Sequence, residues 1–391
     1  MKKGKGFNLM SVVIIICVTS LISAITAGII VTNNYDLSYK GLSTDKYISE
    51  FLKAYSNIIN NYYEDVDKEK MLDAAMDAML NYLGDNYTTY LTKEQKKELE
   101  ERLAGEYEGL GIKISGREIV EITKNSPASE VGLMVGDLFV SVEGTDVTNA
   151  TSSIISTLIR DDSKKEVNIV IERNGTQMPF KITKSLIPTK SISYELKENN
   201  IGYLKIDIFS RPLTSEIEEA LKDMESKGMQ KLIIDVRDNT GGYLDSAETT
   251  ASLFLEKGKI IYSLQDKNGK EEYKDKTDTK REYPVVVLIN HNSASSSEIL
   301  AAALKDSYNA ILVGETSYGK GKVQQTYDME DGAMAKYTSA KWLRPSGECI
   351  DGVGLKPDYE VNIIYDYNEA GEIVGYTDTQ LSRAIEIIGA M

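Results

Sequence analysis

Four serines crowd one short stretch, Ser293, Ser295, Ser296 and Ser297 in HNSASSSE, where the apolar run PVVVLIN ends and the helical pattern SEILAAAL begins. A strand-to-helix corner leaves backbone N–H groups unpaired, and the helix dipole there favours negative charge. One serine is expected to cap the helix, but four exceed that need. A nucleophilic serine at such a corner would find oxyanion donors in the adjacent N–H groups. It would also need a base. The chain has one histidine, His291, too close in sequence to the serines for a useful triad geometry, and it reads as a loop residue. A neutral lysine can take histidine's place, provided burial lowers its pKa from about 10.4 by roughly 2 to 3.

The lysine to consider is Lys320 in GETSYGKGK, residues 314–322. This stretch comes within one residue of the G-x-x-x-x-G-K-[ST] phosphate loop. Gly321 follows Lys320, however, where Ser or Thr would hold magnesium, and KVQQTYDM beyond it has strand character rather than the helix a phosphate loop needs. Nucleotide binding is set aside on that ground. Glycines on both sides of Lys320 would let its backbone approach another segment closely. Gln324, four residues on, would share a strand face with Lys320 and could orient its amine. A third stretch, DVRDNTGGYLDSAE (residues 235–248), reads as strand, polar turn and helix, with the N–H of Gly241 or Gly242 as a candidate oxyanion donor. There is no H-E-x-x-H and no Cys/His cluster, so neither a metal nor a cofactor is implied.

These groups need elements that hold them. A chain of 391 residues has room for two or three domains, and 41% hydrophobic with 27% charged residues is an ordinary globular composition. Lys plus Arg number 45 against 60 Asp plus Glu, and the resulting charge of −15 argues against nucleic acid as a partner and against a general affinity for anionic lipid heads. Residues 1–8 form a basic tail with Lys2, Lys3 and Lys5; residues 9–31 carry no charge and are long enough, as a helix, to cross a bilayer core of roughly 30 Å. The positive-inside rule keeps such an N-terminus cytoplasmic and sends the rest outside the cytoplasmic membrane. A cleaved signal peptide is the rival, but its apolar stretch should be shorter and no A-x-A site follows. Cys17 lies inside the apolar stretch and reads as a membrane-buried thiol. Cys349 is the only other cysteine, so the exported part has no disulfide and depends on its core.

Residues 33–104 read as a helical N-terminal segment, a stalk or cap, with Ile48, Phe51, Leu52, Tyr55, Ile58 and Ile59 at helical spacing; GDNYT (84–88) interrupts the pattern. Residues 105–184 are short alternating runs such as EGLGIKIS and EVNIVIERNG with one helix expected over 149–159, a small, mostly β module. From 185 to 391 strands alternate with helices, expected over 214–227, 243–255 and 295–305. The continuous apolar runs LIIDV, VVVLI and AILV suit strands buried on both faces of an α/β sheet. The fold class predicted is multidomain, α/β and α+β.

Taken together, SASSSEILAAALKD and AILVGETSYGKGKVQQ closely resemble the C-terminal processing peptidases, or tail-specific proteases: exported serine endopeptidases with a Ser-Lys pair and an inserted PDZ domain. The resemblance runs from the first helices to GVGLKPDYEV (352–361). It implies Ser295 as nucleophile, Lys320 as base and Gln324 as its support. The family's R-x-N-x-G-G falls on Arg237, Asn239, Gly241 and Gly242, and the implied oxyanion hole is shared between a glycine there and the N–H of Ser296. Thr240 stands where proline is frequent, a departure that removes no catalytic group. EYEGLGIKI resembles a PDZ carboxylate-binding loop, which implies that Gly109, Leu110, Gly111 and Ile112 receive the terminal carboxylate of a peptide with an apolar end. In several relatives an arginine after the PDZ helix reaches toward the catalytic region, and Arg160 holds the matching place. The expected partners are protein or peptide substrates with a free C-terminus; a homodimer or a regulatory partner is left open. A non-catalytic PDZ adaptor is the alternative reading, and an esterase or amidase with the same pair is a further one.

Overall fold

The computed structural model describes residues 45–161, 163–368 and 371–391. The charge-free stretch 9–31, with Cys17, lies outside the described residues; among the described residues no helix is long and apolar enough to cross a membrane. The chain divides into two units, residues 1–76 and 77–391. In the first unit helix α1 (Lys46–Asn61) is capped by Asp45, whose carboxylate accepts from the N–H groups of Tyr47 and Ile48 at 2.8 and 3.2 Å. Ile48, Phe51, Leu52 and Ile58 on this helix are exposed. Helix α2 (Lys68–Asn81) follows and runs across the division.

The second unit opens with β1 (Thr89–Leu91) and α3 (Lys93–Ala104), the latter started by a Thr92–Gln95 capping box and closed by Gly105 in the left-handed conformation. Next come β2 (Glu106–Gly109), β3 (Ile112–Ser115), β4 (Glu118–Ile122), α4 (Pro127–Glu130), β5 (Leu138–Val142), β6 (Thr145–Asp146), α5 (Ser152–Ile159), β7 (Glu166–Arg173) and β8 (Thr176–Thr183). Helix α5 begins later than the expected 149 because Thr151 caps it, its side chain accepting from the Ile154 N–H. The strands form an antiparallel sheet in the order β3-β4-β5-β7-β8, with β6 on β5, around Leu110, Ile119, Phe139, Ile155 and Ile171. Strand β3 is an edge, and α5 lies against it.

The rest is layered α/β. Strand β9 (Ser185–Pro188) pairs back on β2; then follow β10 (Ile192–Lys197), β11 (Ile201–Ile206), α6 (Leu213–Ser226), β12 (Lys231–Asp235), α7 (Leu244–Ala251), β13 (Ile260–Gln265), β14 (Lys270–Lys274), β15 (Val285–Ile289), α8 (Ser296–Tyr308) and β16 (Ile311–Gly314). Strands β17 (Lys322–Asp328), β18 (Met334–Leu343), β19 (Tyr359–Glu360), β20 (Ile364–Tyr367) and β21 (Ile373–Thr377) precede helix α9 (Thr379–Gly389). One sheet has the order β10-β11-β12-β15-β16-β19, parallel apart from the β10–β11 pair. Its alternation shows why LIIDV and VVVLI read as unbroken apolar runs. Leu232, Ile234, Val285 and Val287 pack with α6, α7 and α8, whereas Ile233, Val286 and Leu288 pack with Ala384 and Ile388 of α9. In another sheet β18 carries β17 along one edge, while the other edge is shared by β1 at Met334–Lys336 and by β13 at Lys341–Leu343.

Candidate active site

Three loops leave the carboxyl ends of the adjacent parallel strands β12, β15 and β16, the usual position of a site in an open α/β sheet. The loop from β15 ends at Ser295, whose backbone (φ 57°, ψ −117°) lies where an L-residue stores strain. Around it the hydroxyls sort themselves. Ser293 donates to the Val236 carbonyl at 2.8 Å, Ser297 to that of Asn239 at 2.8 Å, and Ser296 to those of Gly242 and Tyr243 at 3.2 and 3.1 Å. Among the described residues, the hydroxyl of Ser295 alone of the four donates to no protein group. It opens on a cavity of about 1130 Å³ that Ser296, Gly241, Gly242, Lys320, Gln324 and Arg160 also line.

The turn after β12 is pressed onto that corner. Asn239 donates its amide to the Ile206 carbonyl at 2.8 Å and accepts from the Gly241 N–H at 2.9 Å, while its own carbonyl accepts from the Ala294 N–H. A Cβ on Gly241 (φ 105°) would lie 2.9 Å from the Ser295 Cβ and 3.1 Å from the Ser296 nitrogen, so only glycine fits. Of the two candidate glycine donors, Gly241 therefore has its N–H engaged by Asn239. The Gly242 N–H has no protein partner among the described residues, and Ser296 begins α8, where first-turn N–H groups lack helical acceptors.

Lys320 is brought close by the loop after β16. As its flanking glycines imply, the backbone runs tight against residues 350–354: a Cβ on Gly319 would lie 2.8 Å from the Gly354 nitrogen, and one on Gly321 2.6 Å from Asp351. The Lys320 carbonyl accepts from the Trp342 indole N–H at 2.8 Å. Its amine makes no hydrogen bond or ion pair among the described residues and stands 5.1 Å from the centre of the Tyr87 ring. Burial, and then the neighbouring Lys336, hold its pKa below the ordinary lysine value against the opposing pull of Glu298 and Asp85. Lys336 is itself lowered by burial and by Arg102.

Glu298 joins the two loops. Its carboxylate accepts from the N–H groups of Ser295 (2.9 Å), Gly319 (2.7 Å) and Lys320 (2.9 Å) and from the Ser317 hydroxyl (2.5 Å). Burial pushes its pKa up while these four donors oppose the rise. The residue was missed from the sequence, although a Glu three positions after Ser295 at a helix start is a capping-box signal. Gln324 lines the cavity, but alternation along a strand does not relate it to Lys320, which precedes β17, and the β17–β18 register shifts between Val323 and Gln324. The Gln324 amide instead donates to the Thr338 hydroxyl at 3.3 Å. His291 is exposed, bonded through Nδ1 to Glu315 at 2.8 Å, and does not line the cavity.

In the antiparallel module, Gly109 ends β2 and Ile112 begins β3. Between them the Leu110 and Gly111 carbonyls are tied inward by the N–H groups of Ala128 and Thr123, while their own N–H groups have no protein partner among the described residues. The loop therefore keeps two donors at the head of an edge strand. Arg160 caps the end of α5 and stacks its guanidinium over the Tyr107 ring at 5.6 Å, and both residues line the same cavity as Ser295 and Lys320.

Residues 200–361 match the family described as Peptidase family S41, residues 95–183 the PDZ domain, and residues 31–95 the N-terminal domain of the activating protease CtpB. The chain is 35% identical over 356 residues to Carboxy-terminal processing protease CtpA of Bacillus subtilis, covering 89% of this chain and 76% of that one. It is 36% identical over 339 residues to CtpB of the same organism, covering 84% and 70%. Among solved structures, a lipoprotein from Streptococcus agalactiae has a similar fold at 13% identity, with a TM-score of 0.51 over 89% of this chain and 90% of that one. An identity of that order with CtpA and CtpB, sustained through the PDZ and peptidase regions, makes this chain a member of the carboxy-terminal processing proteases, serine endopeptidases of peptidase family S41.

Proposed function

We propose that the chain is a membrane-anchored endopeptidase that selects proteins by their C-terminal tails and cleaves them with a Ser295–Lys320 dyad. The observation that carries this reading is the sorting of hydroxyls at the head of α8: three serines are bound to backbone carbonyls, and the fourth opens on the cavity that also holds a half-buried lysine with no ion pair among the described residues. Ser295 Oγ attacks the scissile carbonyl as Lys320 takes its proton, and the Gly242 and Ser296 N–H groups hold the developing oxyanion. Lys320 then gives the proton to the leaving amine, and water, deprotonated by Lys320, releases the acyl group from Ser295. The substrate tail adds as a strand to the free edge of β3, its carboxylate at the Gly109–Ile112 loop, and Arg160 links that event to the cavity. Residues 9–31 anchor the chain, with the catalytic part outside the cytoplasmic membrane.

The test is cleavage by the full chain in detergent of a protein with a flexible apolar tail, comparing wild type with Ser295→Ala and Lys320→Ala across pH 6 to 10. Both variants should lose at least roughly a thousandfold in kcat, the order of loss for a unit of nucleophile and base. Wild-type kcat/KM should rise with pH through an apparent value below that of free lysine. Activity retained in Lys320→Ala but lost in His291→Ala would reassign the base.

A further inference from the structure

We propose that Asp85 and Thr338 are positioning residues that fix which way the Gln324 amide faces, so that its carbonyl oxygen is presented toward the Lys320 amine. The inference rests on the reading of Lys320 as the base. The turn at 84–88, which the sequence shows only as a break in a helical pattern, reaches β18 in the interval between the positions paired with β1 and with β13. There the Thr88 hydroxyl oxygen accepts from the Thr338 N–H at 3.1 Å and donates its proton to Asp85 Oδ2 at 2.8 Å. Asp85 Oδ1 accepts from Lys322 Nζ at 3.0 Å, and Asp85 Oδ2 also accepts from the Thr338 hydroxyl.

The polarity of this chain is decided by counting protons. An ionised carboxylate can only accept, and a threonine hydroxyl has one proton to give. Asp85 takes the proton of Thr338, so Thr338 Oγ1 can meet Gln324, its direct cross-strand partner, only as an acceptor. The group that Gln324 turns to Thr338 must then be its NH₂, at 3.3 Å. Its carbonyl oxygen is left for the cavity that Gln324 shares with Lys320. An amine that is to accept a proton from Ser295 must direct its lone pair at Ser295 and its N–H groups elsewhere, and a fixed carbonyl oxygen gives one of them an acceptor. The carboxylate remains ionised: burial works to raise its pKa, but the bonds from Thr338, Lys322 and Thr88 bring it to about 2.

The experiment is a set of kinetic cycles on the full chain in detergent, with kcat, KM and Tm read for Thr338→Val, Thr338→Ser and Asp85→Asn, each alone and combined with Gln324→Ala. Thr338→Val should lower kcat roughly tenfold with KM within about twofold, the size of loss typical of an orienting partner. Thr338→Ser, which keeps the hydroxyl, should restore it. Asp85→Asn, able to donate to Thr338 and so reverse the chain, should lower kcat with Thr338 intact. Neither Thr338→Val nor Asp85→Asn should lower kcat further once Gln324 is alanine. Equal activity of Thr338→Val and wild type, equal impairment of the Val and Ser variants, or an undiminished effect in the Gln324→Ala background would overturn the inference. Should Thr338→Val lose Tm, the Asp85→Asn cycle decides alone. Lys320→Ala separates the two readings: if it stays active, the dyad has failed, and if it is inactive while the cycles are flat, only the orientation of Gln324 has.

Discussion

Lys320, the base in the proposed dyad, would serve that chemistry at the expense of the fold. Its amine is partly withdrawn from water and makes no ion pair among the described residues, and Lys336 adds a second positive charge nearby. Burial therefore holds its folded-state pKa below the unfolded one, so the unfolded chain binds the proton more tightly. The resulting destabilisation is fully present below the folded value and disappears as pH rises toward the ordinary lysine value of about 10.5. Lys320→Met in a Ser295→Ala background should thus raise Tm at pH 7 by about 2 °C, the response to roughly 1 kcal/mol in a large domain, and the gap should close by about pH 10. A Met variant that is less stable at pH 7, or a gap that ignores pH, would show that the lysine is not held as described. Glu298 works in the opposite sense: it satisfies three backbone N–H groups and a hydroxyl at once, and so ties the Ser295 corner to the Lys320 loop.

At the scale of elements, the site depends on how the ends of β12 and α9 are joined. Arg237, just past β12, donates to Asp235 at 2.6 Å, to both Asp378 oxygens at 2.8 and 2.9 Å, and to Gln380 at 3.0 Å. Asp378 also caps α9, accepting from the Leu381 N–H at 2.9 Å. Asp378→Ala removes both roles and should cost about 1–3 kcal/mol in urea unfolding. Burial works to raise the Asp378 carboxyl, but the bonds from Arg237 and the helix end keep it below its ordinary 3.8. Its contribution is therefore present above that value and lost as pH falls through the lower folded one. The wild-type stability curve should drop more steeply than that of the alanine variant below pH 4, and parallel acid limbs would contradict the pairing.

Across the whole second unit, the proposed function divides substrate selection and chemistry between different modules. The edge of β3 and the Gly109–Ile112 loop belong to the antiparallel module, whereas Ser295 and Lys320 belong to the layered one. A substrate whose C-terminus is amidated should therefore show KM raised by at least about tenfold, the effect of roughly 1.4 kcal/mol of lost carboxylate binding. A short peptide ester that reaches only the cavity should be hydrolysed equally with either end group. Indifference of the tailed protein to amidation would remove the loop from the recognition mechanism.

Much of this was legible in the chain itself, and the reason is locality. Apolar runs reveal strands buried on both faces, a serine cluster reveals a strand-to-helix corner, and paired glycines around Lys320 reveal a close backbone approach; each signal lies within one element or one turn. By residue type alone the four serines were equivalent, and family spacing singled out Ser295. The tertiary structure separates them by chemistry, since the carbonyls that bind Ser293, Ser296 and Ser297 come from residues 236–243, brought back by the pairing of β12 with β15. Gln324 was misjudged as a strand-mate of Lys320 because a β-bulge and the late start of β17 are set by pairing with β18. The contact of Asp85 with Thr338 spans 253 positions, and no periodicity records it. Residue types and local spacing determined which groups could do chemistry; which way each hydrogen bond points was decided by the fold, because donors and acceptors from distant segments meet only there.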